Sequence, residues 1–135
     1  MKIVVFEGED GAGKTTIISE LRKRIKCEHP IFIDRFIHSN YVYETLKGNV
    51  NIKELELICN TVSKLDIHVF YITIPVAIAL KRLSLKPGHE QFTEDLLYKQ
   101  KNLFNEAFMR LPLPLTIIDG TRPLDEEINF IMEHI

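Results

Sequence analysis

Residues 8–16, Gly8-Glu9-Asp10-Gly11-Ala12-Gly13-Lys14-Thr15-Thr16, fit the pattern G-x-x-x-x-G-K-[ST]. Glycines at this spacing let successive backbone N–H groups turn inward onto an anion that side chains would hold away. Lys14 stands where an ammonium reaches the β- and γ-phosphates of a bound nucleotide, and the Thr15 hydroxyl suits Mg²⁺. The pattern predicts a nucleoside triphosphate site built from Gly8, Gly11, Ala12, Gly13, Lys14, Thr15 and Thr16. The plainer alternative is a glycine turn joining a strand to a helix.

The flanking residues favour the phosphate loop. Residues 2–6 are a short, apolar, β-branched run that reads as a buried strand. Beyond the loop, Ile17, Ile18, Leu21 and Ile25 fall on one helical stripe, whose positive dipole end faces the anion. A second strand is expected at 31–33, entered through Pro30 and ending on Asp34-Arg35. A polar pair at the carboxyl end of a parallel strand lies where α/β sheets bind ligands, although Asp34 in that position could equally cap the next helix.

Residues 36–44 read as a loop turning into helix that ends at Gly48-Asn49, and 53–64 as an amphipathic helix with Leu55, Ile58, Val62 and Leu65 inward. A third strand is expected at 67–74, with His68 inside it and given no role. Pro75 opens a helix over 76–83 carrying Lys81-Arg82, and 86–89 break it. A long helix over 93–110, a last strand over 115–118, a turn over 119–123 and a closing helix over 124–135 follow. Strands alternating with helices predict an α/β, three-layer sandwich: a small, about four-stranded parallel sheet with helices on both faces. The Asp34 strand is expected beside the loop strand.

Composition narrows the classes. The chain of 135 residues is read as a single domain spanning 1–135, with 45% hydrophobic and 27% charged residues. A net charge of −2 gives no reason to expect direct binding to nucleic acid or an anionic membrane. Neither a signal-peptide pattern nor an apolar run of the ~20 residues that span a bilayer is present. Cys27 and Cys59 lack metal-ligand spacing and read as reduced thiols, so a cytoplasmic protein is expected.

With these residues in view, the chain resembles thymidylate kinases and the wider group of deoxynucleoside and nucleoside-monophosphate kinases. The resemblance rests on Phe6 through Thr16, on Asp34-Arg35-Phe36-x-x-Ser39-x-x-Val42-Tyr43-Glu44, and on Ala79-Leu80-Lys81-Arg82 leading to a lid at about 84–93. Gly88-His89-Glu90-Gln91-Phe92 and Ile117-Ile118-Asp119-Gly120 complete the order. The resemblance implies phosphoryl transfer from ATP, with Mg²⁺, to a small-molecule nucleotide acceptor, a deoxynucleoside monophosphate. It implies that Lys14, Arg35, Asp34 and Arg82 act in catalysis and that Thr15 and Asp34 serve the metal. Asp10, Arg35, Ser39, Tyr43 and Glu44 would meet the acceptor, and Arg122 and Pro123 would flank the adenine. A homodimer is left open.

Three departures from the family pattern matter. Only residues 27–30 separate the first helix from the Asp-Arg strand, where relatives carry a further strand and an arginine-bearing loop. Glu44 replaces a glutamine, and a carboxylate accepts hydrogen bonds without donating them. Neither the phosphate loop nor Gln91 supplies the transition-state arginine, so Arg82, with Lys86 second, is expected to compensate. Two alternatives remain: a deoxynucleoside kinase using Asp34 or Glu7 as base toward a 5′-hydroxyl, and a nucleotide-binding module without catalysis.

Overall fold

Four apolar runs become the strands of one parallel sheet: β1 (Ile3–Gly8), β2 (Ile31–Asp34), β3 (Ile67–Thr73) and β4 (Leu115–Asp119). Their spatial order is β2-β1-β3-β4, so the Asp34 strand lies against the loop strand as expected. The computed structural model describes residues 2–25, 30–86, 88 and 92–135. Cys27 and, from the expected lid, Pro87, His89, Glu90 and Gln91 lie outside the described residues. Among the described residues the helices are α1 (Lys14–Arg24), α2 (Ile37–Lys47), α3 (Ile52–Val62), α4 (Val76–Ser84), α5 (Glu94–Arg110) and α6 (Leu124–Glu133).

Strand alternation divides the core. Val4, Phe6, Phe70 and Ile72 face one side, where they pack with Ile17 and Leu21 of α1, Ala79 and Leu83 of α4 and Ile128 and Ile131 of α6. Val5 and Val69 face the other side, among Phe36, Val62 and Phe108. Tyr71 joins Val42 and Phe104 on that same side. The result is the expected three-layer α/β sandwich. Alternation also carries Glu7, two residues after Val5, onto the α2 and α5 side, a consequence that becomes chemical below.

Helix ends follow local signals. Asn51 accepts from the Glu54 amide at the start of α3, and Thr93 from the Leu96 amide at the start of α5. Pro75 and Pro123 each stand immediately before a helix. The apolar stripe expected over 53–64 stops short: α3 ends at Val62, and Leu65, beyond the cap at Ser63, is 53% exposed. His68 accepts or donates one bond at 2.7 Å to the Thr116 hydroxyl on β4. Cys59 is buried, its Sγ 3.5 Å from the Pro112 carbonyl, and burial pushes its thiol pKa up.

Phe70 is fully buried at the centre of the sheet and stacks on Phe6 with ring centroids 6.0 Å apart. Phe70→Ala is expected to lower unfolding free energy by about 3–5 kcal/mol, read as a shifted midpoint in urea titration.

Candidate functional site

The loop following β1 is shaped by two backbone requirements. Gly13 has φ 89°, a left-handed conformation that L side chains resist, and it opens α1. A Cβ on Gly8 would stand 2.7 Å from the Ile72 carbonyl oxygen, so the loop leaves the sheet only through a bare Cα. The turn encloses a hollow of about 190 Å³ lined by residues 9–16 together with Arg35, Leu83 and Lys86. Donors of the first turn of α1 have no partner within the helix, and they open on this hollow.

Register decides what faces the loop. Phe6 pairs with Asp34, so the carboxyl ends of β1 and β2 finish together. Lys14, buried, makes an ion pair with the Asp34 carboxylate, which is half exposed. Arg35 follows with φ 67°, a rare conformation for a residue with a side chain, and its amide donates to the Phe6 carbonyl at 2.9 Å. Strain of this kind persists where surrounding contacts over-determine it.

Those contacts come from α2 and from the loop. The Arg35 guanidinium donates to the Tyr43 hydroxyl at 2.9 Å, to Asp10 Oδ1 at 3.3 Å and to the Ser39 hydroxyl at 3.5 Å. It also lies over the Tyr43 ring, 5.2 Å from the centroid. Burial works against its charge, but Tyr43 and Asp10 outweigh that and raise its pKa. Tyr43 in turn is pushed up to about 12, by burial first and then by Asp10. Ser39 and Tyr43 stand four residues apart on one face of α2, and Arg35, just before the helix, reaches both. Glu44 is one step round the helix and is not brought to this set. It pairs with Lys47 at 3.7 Å and lines a separate hollow of about 250 Å³ with Asn40, Asn49 and Asn51.

Glu7 holds this corner in place. Its Oε1 accepts from the amides of Phe36 at 2.7 Å and Ser39 at 3.2 Å, and its Oε2 from the Ser39 hydroxyl. The expected acceptor residue Ser39 is thus a buried partner of Glu7. A carboxylate from the neighbouring strand satisfies the amide donors at the start of α2, which has no cap of its own. Burial raises the Glu7 pKa against the opposing pull of Ser39, Phe36 and Arg35. His38 donates Nε2–H to the Leu111 carbonyl at 2.8 Å, and burial lowers its pKa.

Several site residues carried no sequence motif. Gln100 of α5 donates to Asp10 Oδ2 at 3.0 Å, beside the Tyr43 hydroxyl, which donates to the same oxygen at 3.2 Å. Glu9 accepts from Tyr71 and, at 2.9 Å, from Thr73, with Lys101 of α5 at 3.7 Å. Burial and Glu9 together raise the Tyr71 pKa. The available signal was the stripe 97, 100, 104, 107. Gln100 is the polar member of an otherwise apolar, buried row.

On the opposite flank, Arg82 of α4 donates to the carbonyls of Gly11 and Gly120, both at 3.3 Å. It lines a cleft of about 510 Å³ with Gly11, Ala12, Gly13, Thr16, Leu85, Lys86, Gly120, Arg122, Leu124 and Glu127. Arg82 and Arg122 are therefore brought to the loop together. Pro123 stands just behind them, before α6. Thr15 and Asp34 line a further cleft, of about 430 Å³, with Ser19, Arg22 and Lys23. Two hard oxygen donors facing one space fit Mg²⁺. No group of three or more His, Cys, Asp or Glu able to hold a metal occurs among the described residues, so phosphate and water oxygens would have to complete the shell.

With this geometry in hand, a family model described as thymidylate kinase matches residues 28–131. Thymidylate kinases from two strains of Ureaplasma parvum serovar 3 are each 26% identical over 132 residues, covering 90% of this chain and 55% of theirs. The chain thus spans about half the length of the curated relatives it matches. Among solved structures, the YorR protein of Bacillus subtilis in complex with phosphorylated GDP superposes with a TM-score of 0.77 at 18% identity, covering 98% of this chain and 94% of that one. Deoxyadenosine kinase from M. mycoides, with products dCMP and dCDP bound, gives a TM-score of 0.71 at 13% identity over 98% and 97% of the two chains. Thymidylate kinase from Candida albicans gives 0.69 at 16% over 99% and 90%. At these identities the structures establish the shared fold. No helix among the described residues is long and apolar enough to cross a membrane.

Glu7 yields a pH test. Its folded pKa lies above the ordinary glutamate value of 4.5, so the stability it contributes is greatest below that value and is lost as pH rises through the folded pKa. Glu7→Gln keeps an acceptor for both amides and removes the titration. The stability of the variant relative to the parent is expected to rise with pH above 4.5, by at most about 1.4 kcal/mol per unit, in paired urea titrations.

Proposed function

Because the chain belongs to the thymidylate kinase family, we propose that it transfers the γ-phosphoryl group of ATP to a deoxynucleoside monophosphate. The observation that carries this reading is the meeting of two cations at one hollow: Lys14 at the phosphate loop, paired with Asp34, and Arg35 beside it, paired with Asp10. An in-line transfer needs reacting oxygens held in place and spread charge neutralised, with little covalent chemistry from the protein.

The residues divide the work accordingly. Backbone amides of the loop, with Gly8, Gly11, Ala12, Gly13 and Thr16, take the donor polyphosphate. Lys14 exchanges Asp34 for the β- and γ-oxygens. Arg35, held by Tyr43 and Asp10, faces both the acceptor phosphate and the group in transit, while Asp10 accepts from the acceptor sugar. An oxygen of the acceptor phosphate forms the new bond to γ-phosphorus as the bond to the β–γ bridging oxygen breaks, leaving ADP. Mg²⁺, held by Thr15 with Asp34 and the phosphates, supplies charge neutralisation on the donor when bound. Arg82 and Lys86 bring positive charge to the donor flank, which the arginine-free loop lacks. Arg122 and Pro123 border the donor base.

The nucleoside reading is the weaker one on chemical grounds. Attack by a 5′-hydroxyl requires a carboxylate to take its proton, whereas an acceptor phosphate is already ionised. Glu7 receives three donors, and Asp34, once Lys14 turns to the phosphates, would be given to Mg²⁺, so neither carboxylate is left to act as a base.

The test is a panel of deoxynucleosides and their monophosphates incubated with Mg-ATP, following ADP and the phosphorylated product. Turnover is expected on at least one monophosphate and in preference to every nucleoside. Preference for a nucleoside would favour the alternative kinase, and ATP binding without turnover the non-catalytic module. Lys14→Ala is expected to lower kcat by at least about 100-fold. Arg35→Ala is expected to lower it by ~10³-fold or more and to raise KM for the acceptor, while Arg35→Lys restores only part, because one ammonium cannot reproduce the guanidinium fork.

A further inference from the structure

Glu127 is the fourth residue of α6 and is 5% exposed, yet its Oε1 is buried without a hydrogen-bond partner. A carboxylate oxygen in that condition has lost water and gained no donor from the described residues in exchange, an arrangement that buried polar atoms ordinarily avoid. The residue lines the cleft of about 510 Å³ together with Gly11, Ala12, Gly13, Arg82 and Arg122. Arg82 is near enough for its charge to act on the carboxyl, while it donates one Nη1–H to Gly11 and one Nη2–H to Gly120. Burial raises the Glu127 pKa, and Arg82 offsets this in part.

We propose that Glu127 selects the nucleobase of the phosphoryl donor by accepting a hydrogen bond from an exocyclic amino group, so that the cleft takes adenine in preference to its 6-oxo counterpart, hypoxanthine. The inference rests on the reading of this cleft as the donor site. The hollow at Lys14 shares Gly11, Ala12 and Gly13 with this cleft, which puts the phosphates at the loop end and leaves Arg122, Leu124 and Glu127 for the base end. Guanidinium groups stack on planar aromatic faces, so Arg82 and Arg122 suit a purine between those ends. An ionised carboxylate offers acceptors alone. Adenine places an amino donor at C6, whereas hypoxanthine places a carbonyl oxygen there, which a carboxylate repels.

The test measures dissociation constants for ADP and inosine diphosphate by calorimetry, on the intact chain and on Glu127→Ala and Glu127→Gln. The parent is expected to bind ADP at least about tenfold more tightly than inosine diphosphate. Glu127→Ala is expected to bring that ratio near one. Glu127→Gln, which keeps the side chain's size and can turn its amide to donate, is expected to recover inosine diphosphate binding and serves if the alanine variant does not fold. Equal binding of both by the parent, or an unchanged ratio in the variants, would overturn the inference while leaving the donor site intact. A uniform loss for both ligands would make Glu127 a positioning residue for Arg82 and also overturn it. Absence of binding by either diphosphate would remove the donor site itself, and the inference with it.

Discussion

The parallel pairing of β1 with β2, Phe6 opposite Asp34, is the constraint on which the site depends. Two strands ending at the same level deliver the phosphate loop and the Asp34-Arg35 pair to one hollow. A slip of one residue would turn Arg35 to the other face and separate it from Asp10 and Tyr43. The register is held by buried side chains on both faces, because Val4 and Phe6 pack with α1 and α6 while Val5 packs with Phe36, Val62 and Phe108. Core packing therefore positions the chemistry directly.

Glu7 links that register to the start of α2. It sits on the sheet and bonds Phe36 and Ser39, so the helix carrying Tyr43 is fastened to the strand carrying the loop. Arg35, left-handed at the joint, is gripped from three directions by Tyr43, Ser39 and Asp10. An arginine oriented this way has lost its rotamer freedom before any ligand arrives, and a pre-ordered cation costs less to use than a mobile one.

The charge arrangement beneath the proposed anion site is unexpected at first sight. Glu7, Glu9 and Asp10 lie under or beside the hollow proposed for phosphates. Each is engaged by donors: Glu7 by α2 amides, Glu9 by Tyr71 and Thr73, and Asp10 by Arg35, Tyr43 and Gln100. The acids thus act as anchors for cations and hydroxyls, and the positive groups Lys14, Arg35, Arg82 and Lys86 border the space that a polyphosphate would enter. Lys14 alone among these is held by a carboxylate that is half exposed, an ion pair a phosphate can displace.

What the sequence by itself determined was local: strands from β-branched runs, helices from stripes and prolines, and the loop from its glycines and lysine. Contiguous motifs were legible because their geometry is set by neighbours along the chain. The tertiary structure decided the rest. Gln100 and Lys101 reach the site from α5, some 90 residues after Asp10, through helix–sheet packing that no local spacing encodes. Glu44 was drawn away although it adjoins Tyr43, since consecutive helical residues point about 100° apart. Along the chain Glu127 is one of three acids in the first turn of α6, and only the docking of that helix lays its carboxyl against the cleft. Side-chain direction and long-range burial are collective properties of the packed chain, and they exist only once the layers have closed.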